Sequence, residues 1–184
     1  AALCLAVLGC GGLKGEAQAL EEQGDLDGAV AAYHRVLERD ADDLEALEAA
    51  AVDLVFLGRY GEALVLQEHL VALDPCELQT RIELGFNYLN HQDRPGDAVR
   101  VLREAAGLEA SARNLTFLAQ ALIAAGDVTG AEASLRQAMA ADPAYVYSYM
   151  TLVGQLEAQE RVEEAGQVRE QAATRGITIA ESLQ

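Results

Sequence analysis

The sequence predicts an all-α fold, a solenoid of about five tandem helical hairpins. An alanine recurs at Ala29, Ala63, Ala98, Ala131 and Ala165, at intervals of 34, 35, 33 and 34 residues. A glycine stands five residues before this anchor at Gly24, Gly58 and Gly126, and a proline twelve residues after it at Pro75 and Pro143. Self-similarity at such a period marks stacked repeats, each too small to bury its own apolar face and each covered by its neighbours.

The copy at 114–143 shows the logic of one hairpin. Leu115, Leu118, Ala119 and Leu122 fall at helical spacing and give the first helix one apolar face. Gly126-Asp127 stops it, because glycine tolerates a left-handed C-cap and aspartate suits the next N-terminus. Ala131, Leu135 and Ala138 mark the apolar face of the second helix, and Asp142-Pro143 ends it.

The period matches that of tetratricopeptide repeats. Leu84-Gly85-Phe86-Asn87-Tyr88 resembles the L-G-x-x-Y core of that family's first helix, and Tyr33 stands four residues after Ala29, where the family places an aromatic. The chain thus resembles a tetratricopeptide repeat protein over nearly its whole length. The resemblance implies a right-handed superhelical solenoid over 13–176, with repeats at about 13–43, 44–77, 78–111, 112–145 and 146–176 and a tail at 177–184. The chain departs from the family in having no tryptophan, in Gln92 and Glu160 where turn glycines belong, and in Ala41 where the first closing proline belongs.

Of the 184 residues 51% are apolar but only 5% aromatic, so packing relies on small and aliphatic side chains. The formal charge is −17, with −11 in residues 1–75 and −6 in residues 76–184. Such a field repels nucleic acid and anionic lipid, so neither is an expected partner. It selects basic partners, or it keeps an apolar solenoid soluble.

Residues 1–12 are uncharged, and the run ends at Lys14. That is too short for a membrane span, which takes about 20 apolar residues. Val7-Leu8-Gly9-Cys10 resembles the lipobox of bacterial lipoproteins, with Gly11-Gly12 as the start of a tether. The resemblance implies a truncated signal and tether at 1–12, lipidation at Cys10, and a protein anchored in the outer membrane and facing the periplasm. The alternative is that residues 3–9 form an apolar helix packed on the first repeat of a soluble cytosolic protein. Cys76, after Pro75 at a repeat junction, is expected to be a small packed residue.

No catalytic constellation is visible. His34, His69 and His91 sit in different repeats without H-x-x-x-H spacing, and there is neither a phosphate-binding loop of Walker type nor a G-x-S-x-G elbow. Asp40, Asp42, Asp43 and Glu45 crowd one turn, but the central glycine of a calcium loop is missing, and capping explains acids at a helix start. No enzyme, metal or cofactor is therefore expected.

The remaining candidate is the concave groove, which in the family is lined by first-helix positions outside the repeat core. Register places Val52, Phe56, Ile82, Phe86, Asn90, Gln120, Tyr147 and Met150 there. Ile82 and Phe86 are apolar beyond the core stripe of Leu84, Gly85 and Tyr88, which suggests either a hydrophobic strip for a protein or peptide ligand or tighter inner packing. The turn His91 to Gly96 is one residue longer than its equivalents, a contact point or a tolerated insertion. Lys14, Gln18, Glu45 and Glu48 stand where the family's carboxylate clamp would lie, and the two acids there would repel a C-terminal carboxylate. The expected function is a non-catalytic protein-interaction scaffold, a periplasmic lipoprotein assisting assembly of an envelope complex of pilus or secretion type. The alternatives are a soluble cytosolic adaptor and a module cut from a larger enzyme or sensor.

Overall fold

The computed structural model describes residues 2–180, with side chains from residue 12 onward. The side chain of Cys10, the expected lipidation site, and residues 181–184 of the tail lie outside the described residues. Among the described residues the chain forms ten helices: α1 (Ala2–Glu22), α2 (Leu26–Leu37), α3 (Leu44–Phe56), α4 (Tyr60–Leu73), α5 (Gln79–Asn90), α6 (Pro95–Leu108), α7 (Ala112–Ala124), α8 (Val128–Ala141), α9 (Val146–Ala158) and α10 (Val162–Ala173). The all-α, hairpin-by-hairpin organisation is the one expected. None of the helices among the described residues is long and apolar enough to cross a membrane.

The chain divides into two compact units, Ala1–Gln92 and Asp93–Gln184. The division falls in the longer turn of the third repeat. In the first unit α2 packs on α1 and α3, and α4 on α3 and α5. In the second, α7 packs on α6, α8 and α9, and α9 on α8 and α10.

The five anchor alanines are each 0% exposed. They sit where helices pass close together, and only a small side chain allows that approach. Around them the first unit buries Val30, Tyr33, Val36, Leu47, Leu54 and Leu66. The second buries Val101, Leu102, Leu135, Tyr149, Leu152 and Leu156.

The turns follow from local chemistry. Gly126 has φ +80°, its N–H donates to the Ile123 carbonyl at 3.0 Å, and the Asp127 N–H donates to the Leu122 carbonyl at 2.9 Å. This is the paired bond pattern of a glycine C-cap. Asp127 then caps α8 by accepting from the Gly130 N–H at 2.9 Å, and Asp25 and Asp43 do the same for α2 and α3. Glu160 occupies the glycine position of the last repeat and takes φ +61° with the same two bonds. A side chain in this left-handed region costs about 1–2 kcal/mol, less the chain entropy that glycine would bring. Glu160→Gly is therefore expected to raise stability by about 0.5–1 kcal/mol in denaturant unfolding. An unchanged or lower midpoint would show that α9 ends for another reason.

The crowded acids of the turn before α3 are held by protein groups. Asp43 caps α3, Lys14 lies 2.7 Å from Asp43 and 2.8 Å from Glu45, and Asp42 meets His69 at 2.9 Å. The Asp43 carboxyl sits below its ordinary range: burial works against this, but the Lys14 bond and the backbone N–H donors outweigh it. Cys76 departs from its expected packing. It is exposed, because the turn that ends α4 carries it outward, with its N–H donating to the Asp74 carboxylate at 2.9 Å.

Candidate binding site

The candidate site lies in the first unit, where α3, α4 and α5 meet. Phe56 ends α3 and is 76% exposed, an unusual place for a large apolar ring. On one side of it lies a cleft of about 310 Å³, with Val52, Val55 and Phe56 from α3 facing Glu83 and Phe86 from α5. Its floor is polar. Asn87 and Gln67 are each 3% exposed, and the Asn87 amide donates to Gln67 Oε1 at 2.9 Å and to the Tyr60 carbonyl at 3.1 Å. Both Asn87 N–H groups are thereby used, while its Oδ1 is buried with no hydrogen-bond partner among the described residues. At the mouth His91 stacks on Tyr60, ring centroids 3.4 Å apart and planes 5° from parallel. The longer third turn thus brings its histidine to this cleft.

On the other side of Phe56 a wider trough of about 620 Å³ is lined by Glu21 of α1, by Glu45, Glu48 and Asp53 of α3, and by Leu26, Ala49 and Val52. Asp53 is 5% exposed, and its Oδ2 also has no hydrogen-bond partner among the described residues. Burial, the adjacent Glu21 charge and a bond shared with Glu21 push its pKa up to about 6. Glu21 in turn accepts the Tyr33 hydroxyl at 2.7 Å, and burial and that carboxylate raise the tyrosine's pKa.

The eight residues expected in a groove divide between the two units. In the first, Val52, Phe56 and Phe86 line the cleft, Asn90 is exposed at the end of α5, and Ile82 is not available. Ile82 is 4% exposed, because α5 turns that side toward the core. This corrects the expectation that Ile82 lines a groove and favours the inner-packing reading at that position. In the second unit Gln120 is half-buried, while Tyr147 and Met150 are exposed beside Val146 on α9. There Tyr145 and Tyr147 lie with ring centroids 5.6 Å apart, and the Arg113 guanidinium sits 5.3 Å from the Phe117 ring centroid. Tyr60, Gln67, Asn87 and His91 in the cleft, and Asp53 in the trough, are absent from the sequence-based set. No group of three or more His, Cys, Asp or Glu among the described residues is arranged to hold a metal ion.

Residues 112–145 match the model of the tetratricopeptide repeat family, over the span expected for the fourth repeat. No curated protein sequence matches the chain. Solved structures do. A crystal structure of MamA is 19% identical, with a TM-score of 0.76 over 94% of this chain and 98% of its own. MamA 41-end from Desulfovibrio magneticus RS-1 is 18% identical, with a TM-score of 0.73 over 86% and 90%. YrrB, described as a tetratricopeptide protein with an unusual peptide-binding site, is 20% identical, with a TM-score of 0.72 over 87% and 82%. The chain has the tetratricopeptide-like solenoid fold of these proteins.

Proposed function

We propose that the protein is a non-catalytic interaction scaffold whose first unit captures a segment of a partner protein. The observation that carries this reading is Phe56, a ring 76% exposed between two concave surfaces, each lined by a residue with one buried oxygen that has no partner among the described residues. An exposed ring in a shaped apolar cleft is suited to anchor a partner side chain. The fold shared with YrrB, which has a peptide-binding site, supports the same reading.

The scaffold is anchored, in this proposal, through acylated Cys10 on the periplasmic face of the outer membrane, where it assists assembly of an envelope complex of pilus or secretion type. The support is the Val7-Leu8-Gly9-Cys10 pattern followed by tandem repeats. The test of the binding reading is Phe56→Asp, which is expected to remove partner capture from a protein that still folds, because Phe56 makes almost no core contact.

A further inference from the structure

The two concave surfaces beside Phe56 share a chemical feature that narrows what they hold. Each is lined by a residue with a buried oxygen that has no hydrogen-bond partner among the described residues, Asp53 Oδ2 in the trough and Asn87 Oδ1 in the cleft. A buried acceptor without a donor is costly, and in the trough that acceptor belongs to a carboxylate, which favours a cationic ligand over a neutral one. The trough adds charge. Glu21, Glu45 and Glu48 face it together with Asp53, and Lys14, which pairs with Glu45, is engaged with Asp43 as well. An anionic ligand is repelled there, and a neutral one leaves the Asp53 carboxylate uncompensated.

We propose that the trough receives an arginine or lysine side chain of the bound segment, lodged against Asp53 and Glu21. An apolar side chain of the same segment seats in the cleft between Phe56 and Phe86. The partner is thus a basic, apolar segment of another protein. The inference rests on the reading that this surface captures a partner segment, and it adds what that segment must carry. It also gives a reason for the buried carboxylate. Asp53 is driven toward its protonated form by burial and by Glu21, and the charge of a bound cation opposes both effects.

The test is selection of a random dodecapeptide library displayed on beads against the full chain, with Asp53→Asn and Phe56→Asp variants in parallel. The expected result is enrichment of Arg or Lys near an aromatic or large aliphatic residue, with a selected peptide binding Asp53→Asn about tenfold more weakly or worse. Apolar peptides that lack basic enrichment, keep their affinity for Asp53→Asn and lose it for Phe56→Asp would overturn the cation pocket and leave the groove reading standing. Peptides that bind Phe56→Asp as well as the unaltered chain, or no enrichment at all, would overturn the groove reading and this inference with it.

Discussion

Tyr149→Ala is expected to cost about 3–5 kcal/mol, the range for removing a fully buried aromatic ring. Tyr149 is 0% exposed, on the α9 face toward its neighbours in the second unit, and its hydroxyl donates to the Pro143 carbonyl at 3.2 Å. A fully buried ring of that size leaves a hole that the surrounding side chains fill only in part. Tyr149→Phe separates the two contributions: keeping the ring and losing the hydroxyl should cost only about 1 kcal/mol. Denaturant unfolding of the two variants measures both. Equal losses would show that the hydrogen bond, rather than the volume, holds α9 in place.

Asp53→Asn is expected to stabilise the protein, by an amount that grows as pH rises from about 4 to about 6 and is level above that. The native-state pKa of Asp53 is about 6 against an ordinary value of 3.8. A carboxyl whose pKa is raised on folding contributes stability that is fully present below the unfolded value and is lost as pH rises through the folded one. At pH 8 the buried carboxylate therefore destabilises the fold, on the order of 2–3 kcal/mol by the size of the shift. The amide has the same shape, carries no charge, and places a donor within reach of Glu21. The unfolding midpoints of the two proteins should lie closest below about pH 4, separate between about pH 4 and about pH 6, and keep a constant separation up to pH 8. A constant difference from below about pH 4 up to pH 8 would mean that Asp53 does not titrate differently in the folded state. A carboxylate kept where it weakens the fold is what a binding group looks like, since local destabilisation persists at sites where it is used.

The repeat frame is legible because its markers answer to steric necessity. An alanine at each close helix crossing and a glycine at each left-handed cap leave few substitutes, so Ala29, Ala63 and Gly126 announce themselves by spacing alone. Glu160 shows the limit: the geometry persists where the glycine does not, held by the same pair of backbone bonds. The candidate site is legible only in part. Val52, Phe56 and Phe86 fall where register puts them, since they are apolar residues off the core stripe. Ile82 misleads, because one sequence does not show how far α5 rolls toward the core. Asp53 and Asn87 escape notice because a polar residue on a helix reads as solvated unless its neighbours are known. A signal does exist for Asp53. It is the one acid in the run Ala49-Ala50-Ala51-Val52-Asp53-Leu54-Val55-Phe56, otherwise wholly apolar. The turn that begins at His91 stands out by its extra residue, but spacing does not define its path, so the stacking of His91 on Tyr60 at the cleft is not legible.

The most direct measurement of the central claim is a comparison of partner capture from extracts of the source cells by the unaltered chain, Phe56→Asp and Val65→Asp. Val65 is also a large exposed aliphatic residue, 62% accessible on α4 of the same unit, but it lines neither the cleft nor the trough. Both variants add one negative charge, so a general electrostatic effect would appear in both. Proteins retained by the unaltered chain and by Val65→Asp, and reduced at least about tenfold by a folded Phe56→Asp, are the predicted result. The same set of proteins retained by all three would contradict it and remove this surface from the function of the protein.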